Sequence, residues 1–237
     1  MRYHFYYDRV ESTMSAYQKL KEITEEPLVV RAGTQLSGIG RADHIWLSPP
    51  GGLWLTFDIK LASSIPSFAL YAGFCLHKCL EQTFSPLRDK LAIKWTNDLM
   101  YGPQKLGGIL CRFQPRNSTY QVGVGLNTNN SIDPLLGKFG AVALKDILGF
   151  EVDNEYLCNL IVRTVDENLA HTSSTLGYIT YCNDHLFGKG RIAEMEMGGL
   201  RVQAEILGID PSGALLIRKE MGELVTVHTG SILTFLD

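Results

Sequence analysis

Between residues 94 and 110 the chain reads Lys94-Trp95-Thr96-Asn97-Asp98-Leu99 and then, from Lys105, Lys-Leu-Gly-Gly-Ile-Leu. Two lysines, an amide and a carboxylate stand around a tight turn between apolar runs, where a folded sheet can aim them at one phosphate. A lysine in a partly desolvated cleft is a compact positive charge, suited to the negative charge that builds up on a transferring phosphoryl group. The plainer alternatives are solvated lysines and Asn97-Asp98 as a simple turn pair. Asp98 is also a candidate Mg2+ ligand, or the group that orients a lysine.

A second group is Gln35-Leu36-Ser37-Gly38-Ile39-Gly40-Arg41. Gly38 and Gly40 would let the backbone approach a ligand closely, and Arg41 offers a planar fork of donors to a carboxylate or phosphate. An ordinary surface loop accounts for two glycines equally well. An NAD-binding fingerprint is excluded, because it needs glycine where Asp43 stands and a helix where Trp46 and Pro49-Pro50 follow. Ser12 and Thr13 read as a helix cap, or as hydroxyls beside exposed amide donors that hold a polar head group. Trp46 reads as core, or as a flat face covering a ring at the border of the glycine segment.

The elements that must position these groups are legible in outline. Residues Tyr3 to Val10, Leu28 to Ala32 and Leu53 to Ile59 are predicted strands, with a helix from about Met14 to Ile23 after the first. The stretch from Gly33 to Gly52 is predicted to be a functional loop, since it is too long for a simple connection. A helix is predicted over Ser67 to Thr83, then strands over Leu91 to Trp95, Leu99 to Tyr101, Gly107 to Phe113 and Tyr120 to Gly125. The site residues therefore collect at strand ends. A polar loop from Asn127 to Asp133 precedes helical patterns, clearest from Asn154 to His171, where Leu157, Ile161, Val165 and Leu169 recur every four residues. From Gly190 five short strands follow (Arg191 to Met197, Arg201 to Ile209, Ala214 to Arg218, Leu224 to His228, Ser231 to Phe235), a pattern that predicts a small barrel packed on the larger domain.

Composition narrows the classes. The chain has 237 residues, 45% hydrophobic and 20% charged, with a formal net charge of -3. Such a chain is globular and carries no general basic field for nucleic acid, so an anionic ligand must be gripped locally. No run approaches the roughly 20 apolar residues of a membrane span, and the N-terminus lacks a signal-peptide core; the expectation is a cytoplasmic protein. Cys75, Cys79, Cys111, Cys158 and Cys182 show no paired zinc-type spacing and are expected to be buried thiols.

Taken together, the ordered segments resemble the biotin protein ligase family along most of the chain. The matching residues are Asp8-Arg9-Val10-Glu11-Ser12-Thr13, Gln35-x-x-Gly38-x-Gly40-Arg41 with Trp46 and Ser48-Pro49-Pro50-Gly51-Gly52, and Lys94-Trp95-x-Asn97-Asp98-Leu99 with Lys105-Leu106-Gly107-Gly108-Ile109-Leu110. Gly123-Val124-Gly125-Leu126-Asn127 adds a strand end, and Gly208-Ile209-Asp210 with Gly213-Ala214-Leu215-Leu216 resembles the family's small C-terminal domain.

The resemblance implies an α+β fold, with a mixed β-sheet and helices packed on one side as in class II aminoacyl-tRNA synthetases, followed by an SH3-like barrel. The domains would be residues 1–187 and 188–237. It implies activation of biotin with Mg2+ and ATP to biotinyl-5'-AMP, then transfer to a lysine of a biotin carboxyl carrier protein, by a monomer or homodimer. Ser12, Thr13, Gln35, Gly38, Gly40, Arg41, Lys105, Gly107 and Gly108 would be on the biotin side. Arg41, Trp46, Lys94, Asn97 and Asn127 would be on the ATP side, with Arg41 and Lys105 catalytic. Ile39, Asp43 and His44 depart from the family's Gly-Arg-Gly-Arg-x-Gly-Arg loop, and Thr96 replaces a common proline. The catalytic motif starts almost at residue 1, so a DNA-binding form is not expected. A lipoate or octanoate ligase and a non-catalytic biotin or adenylate binder are the competing readings.

Overall fold

The computed structural model describes residues 2–65, 67–132, 140–169 and 175–236. The chain runs β1 (Tyr3–Val10), α1 (Thr13–Lys21), β2 (Leu28–Ile39), a 3-10 turn at Arg41–Asp43, β3 (Ile45–Ser48), β4 (Leu53–Lys60) and α2 (Phe68–Thr83). Four strands follow: β5 (Leu91–Lys94), β6 (Asp98–Tyr101), β7 (Gln104–Gln114) and β8 (Thr119–Leu126). Then come α3 (Leu144–Leu148), α4 (Asn154–Glu167), α5 (Thr175–Asp184) and five C-terminal strands, β9 (Ile192–Met197), β10 (Leu200–Ile209), β11 (Leu215–Lys219), β12 (Leu224–Val227) and β13 (Ser231–Phe235).

The first eight strands form one mixed sheet in the order β1-β2-β4-β8-β7-β6-β5, with β3 paired to β2. Only β1 and β2 run parallel, joined by α1 as a crossover; the other neighbours are antiparallel. Alternation sorts the side chains between the faces. Leu53, Leu55, Phe57 and Ile59 of β4 and Tyr120, Val122, Val124 and Leu126 of β8 join the main core with the buried faces of α2, α4 and α5. On the other face α1 buries Ala16 and Tyr17 against Leu28 and Val30. There the Tyr17 hydroxyl donates to Asp58 Oδ2 (3.2 Å) and Gln121 Nε2 donates to the Met14 carbonyl (2.7 Å). The expected fold is thus observed, with α1 as one helix on the face opposite the main helical layer.

Ser12 caps α1 as predicted, its hydroxyl accepting the Met14 N–H at 3.2 Å. The stretch from Gly33 to Gly52 differs from prediction, since most of it is strand. Thr34 and Gln35 of β2 still pair with Arg9 and Val10 of β1, and β3 folds back along Gln35 to Ile39. Backbone pairing to two partners overrides the glycines, which a loop assignment weighs by type alone. Helix α4 stops at Glu167, where Asn168 folds its Nδ2 back onto the Thr164 carbonyl (2.8 Å). Asp133 and His171, the predicted ends of the polar loop and of this helix, lie outside the described residues.

The C-terminal strands form an antiparallel sheet in the order β12-β11-β10-β9-β13, close to the predicted five. The turn at Asp210-Pro-Ser-Gly is held by Asp210 Oδ1, which accepts the N–H of Ser212 (2.8 Å) and Ala214 (3.0 Å). Gly213 has φ +87°, and a Cβ there would lie 2.2 Å from Ser67, so only glycine fits. Its carbonyl accepts the Trp95 indole N–H at 3.0 Å, tying this sheet to the segment that follows β5. No helix of the described residues is long and apolar enough to cross a membrane, and all five cysteines are free, four of them buried.

Candidate active site

A cleft of about 450 Å³ opens on the α1 face of the large sheet. Its floor is set by β7 and β8, where Gly108, Gly123 and Gly125 occupy the positions that alternate with the core residues. A Cβ on Gly125 would lie 2.4 Å from Trp46 Nε1, one on Gly108 2.9 Å from the same ring, and one on Gly123 2.8 Å from Met14 Sδ. The missing side chains thus create the space in which the indole and Met14 sit.

One wall is a polar chain built from the start of α1 and from β2, β3 and β4. Gln35 Oε1 accepts the Thr13 N–H (2.8 Å) and the Thr13 hydroxyl (3.0 Å), while Thr56 donates to Thr13 Oγ1 (2.9 Å). Gln35 Nε2 donates to Ser48 Oγ (2.7 Å), which donates on to the Trp46 carbonyl (3.1 Å). Ser12 is buried behind this chain as the cap. A side chain at Gln35 that both accepts and donates fixes the α1 terminus to the β2–β3 hairpin, and presents a preorganised amide edge.

The opposite wall carries charge. Lys105 Nζ sits 2.8 Å from Asp98 Oδ1 and 4.7 Å from the centroid of the Trp46 ring. Arg41 donates to Asn97 Oδ1 at 3.0 Å and to the carbonyl of Gly230, in the turn between β12 and β13, at 3.2 Å. Asn97 Nδ2 in turn donates to the Ile109 carbonyl, 3.0 Å away. Lys94 is buried, and desolvation with the nearby Lys105 and Arg41 charges pulls its pKa down to about 8, against the opposing effect of Asp98. Three cationic side chains therefore face one carboxylate among the described residues lining the cleft. That surplus attracts an anion.

Asp98 is the only carboxylate among those lining residues and is already paired with Lys105. This donor set does not fit a Mg2+ ion held by the protein alone, which needs more oxygen ligands at close range.

The residues singled out by sequence do not all meet. Thr13, Gln35, Gly40, Arg41, Trp46, Lys94, Asn97, Asp98, Lys105 and Gly108 line the cleft. Asn127 lines an adjoining cavity of about 730 Å³, which shares Gln35, Trp46 and Lys105 with the first. There Asn127 Oδ1 accepts the Asn130 amide at 3.1 Å. Gly38 and Gly107 fall outside both linings. A Cβ on Gly38 would meet the Trp46 carbonyl at 2.3 Å, and one on Gly107 the Gly125 carbonyl at 2.9 Å and Leu126 at 3.0 Å. Glycine is needed at both for strand packing, whatever their position relative to a ligand. Ile39 and His44 line the cleft where the common loop pattern has arginines. Sequence reasoning gave no role to Thr56, Gly123 or Gly125; glycine at every second position of a strand was the available signal for the last two.

Comparison with known proteins adds to this geometry. Residues 6–129 match the model of the biotin/lipoate A/B protein ligase family, and residues 190–233 that of the biotin protein ligase C-terminal domain. The chain is 29% identical over 231 residues to the biotin (acetyl-CoA-carboxylase) ligase of Paracoccus denitrificans, covering 92% of this chain and 95% of that protein. It is 27% identical over 222 residues to the human biotin–protein ligase, covering 86% of this chain but 30% of the human protein. Among solved structures, the biotin protein ligase from Aquifex aeolicus in complex with biotin and ATP superposes with a TM-score of 0.82 at 22% identity, covering 97% of each chain. The biotin protein ligase from Leishmania major in complex with biotinyl-5-AMP gives 0.68 at 18%, covering 95% of this chain and 98% of that one. At these identities the two structures speak for the fold.

Proposed function

Because the chain belongs to the biotin/lipoate A/B protein ligase family, we propose that this ligase activates biotin with ATP and transfers it to a lysine of a biotin carboxyl carrier protein. In the first step the biotin carboxylate attacks the α-phosphate of ATP, and the bond to the β-phosphate breaks. Biotinyl-5'-AMP and pyrophosphate result. In the second step the neutral amine of the carrier lysine attacks the acyl carbonyl and loses a proton, an amide forms, and AMP leaves.

The observation that carries this reading is the convergence of Arg41, Lys94 and Lys105 on one cleft whose floor is bare of side chains. Both steps gather negative charge around one phosphoryl group, and fixed cationic donors stabilise it with no reorganisation. Arg41 and Lys105 take that role, while Lys94 adds a buried charge from behind. The polar chain of Thr13 and Gln35, capped by Ser12, suits the head group of biotin. The Trp46 indole N–H is buried without a partner in the structure, which leaves a donor beside the glycine floor. Trp46, Asn97 and Asn127 are assigned to the nucleotide side. Mg2+ enters with the phosphates of ATP and not on a protein-built site.

In this reading residues 1–187 form the catalytic domain, and residues 188–237 a second domain that lends the Gly230 carbonyl to Arg41. The cytoplasm is the compartment in which ATP and carrier meet the enzyme. The test is ATP-dependent transfer of biotin to a purified carrier domain, with pyrophosphate exchange measured alongside. Exchange and labelling with biotin are expected. Exchange driven by lipoate or octanoate but not by biotin, or biotin binding with no exchange, would overturn the proposal.

A further inference from the structure

On the helical face of the sheet, away from the cleft, α2 and the end of α5 bring together His77, Glu81 and His185, with one potential ligand atom from each within 4.8 Å of the others. We propose that these three side chains form a site for a divalent transition metal of the zinc class. Nothing in the ligase reading requires it.

The hydrogen bonds around the cluster select the ligand atoms. His77 Nε2 lies 3.2 Å from the Leu91 carbonyl, which can only accept, so the proton sits on Nε2 and the lone pair on Nδ1. His185 Nδ1 lies 2.9 Å from the Tyr181 carbonyl, which by the same argument leaves the lone pair on Nε2. Glu81 Oε1 accepts the Asp89 N–H at 3.0 Å, and its Oε2 is 3.6 Å from His77 Nδ1. Each group therefore already has the outer partner that orients a metal ligand: a carbonyl for each imidazole and an amide for the carboxylate.

Two neutral imidazoles and one carboxylate are a donor set that zinc accepts, with a fourth position open to water or to a further oxygen. The Tyr181 hydroxyl, 2.9 Å from His77 Nδ1, donates to that lone pair and would be displaced by the ion. Zinc–nitrogen bonds of about 2.0–2.1 Å put tetrahedral ligands roughly 3.3 Å apart, so the groups close on an ion by side-chain rotation.

The position gives the ion a purpose. Leu91 opens β5, and two residues on the Ile93 N–H donates to the His185 carbonyl (2.8 Å) while the Phe187 N–H donates to the Ile93 carbonyl (3.0 Å). A metal there would rivet α2, α5 and β5 together at the strand that ends in Lys94. It acts as a structural ion, because no residue of the cluster lines the cleft.

The test strips the full-length protein with a chelator and titrates Co2+ without ATP. One equivalent is expected to bind, with visible d–d bands of a nitrogen- and oxygen-ligated site, no thiolate charge-transfer band, and a rise in Tm of several degrees. Glu81→Gln keeps an oxygen for the Asp89 N–H and His185→Gln keeps a polar group. Loss of an outer partner alone weakens metal sites about 10–100-fold, so each variant is expected to bind at least about tenfold more weakly. A wild-type protein that binds no Co2+, a thiolate band, or unchanged affinity in both variants would overturn the proposal.

Discussion

The two faces of β8 do opposite work from adjacent residues. Tyr120, Val122, Val124 and Leu126 point into the helical layer and are almost fully buried, whereas Gln121, Gly123 and Gly125 turn to the α1 side. The first set fills space and the second gives it up. A strand that alternates in this way separates stability from chemistry: shape complementarity holds the sheet to its helices, while the bare face keeps room for a ligand beside fixed charges. Substitutions on the two faces should therefore fail in different assays.

The largest effect is expected on the packed face. Leu126→Ala removes a fully buried side chain and should cost about 2–5 kcal/mol of stability, read by chemical denaturation, with KM for biotin unchanged in the protein that remains folded. Loss of biotin affinity without loss of stability would break the division. Next comes Lys105→Ala on the charged wall. Pyrophosphate exchange should slow by roughly a hundredfold or more with little change in Tm, and near-normal exchange would remove Lys105 from its role. A smaller effect is expected for Gly125→Ala, whose new methyl falls 2.4 Å from Trp46 Nε1. Displacing that ring should cost about 1–3 kcal/mol, appearing as a raised KM for ATP and altered tryptophan fluorescence.

A pH dependence sharpens the comparison, because one group, Lys94, bears on both stability and ligand binding. Its folded pKa of about 8 lies below the ordinary 10.5, so over that interval the unfolded chain binds more protons. Stability should rise with pH between about 8 and 10.5, and the rise should vanish in Lys94→Met. Anion binding has the opposite sign. A phosphoryl group favours the ammonium form, so ligand binding should take up a proton near pH 8 and weaken above it. Calorimetry of ATP binding in buffers of different ionisation enthalpy measures that uptake.

Much of this was legible beforehand where residue type and spacing agree. Lys94, Asn97, Asp98 and Lys105 fall at strand ends because apolar runs bracket them, and Arg41 meets them across the sheet as the motifs imply. The stretch from Gly33 to Gly52 was not legible as strand, because its pairing partners are distant in sequence and glycine type argues for a loop. The packing role of Gly38 and Gly107 was not legible for a related reason. A glycine needed to pack against a neighbouring strand looks, in one sequence, the same as a glycine that admits a ligand. The cluster of His77, Glu81 and His185 was also out of reach, since the fold alone joins residues about a hundred positions apart. Cysteine spacing, the signal consulted for zinc, has no bearing on it.

Arg41 reaches across to the carbonyl of Gly230, and Trp95 to that of Gly213. The short loops of the C-terminal sheet thus serve as the far rim of a reaction chamber. Anyone exchanging that module between relatives, or trimming it to obtain a minimal catalyst, would also alter the posture of the arginine on the other side of the seam. The chain is better treated as one machine with a late-translated part than as two interchangeable cassettes.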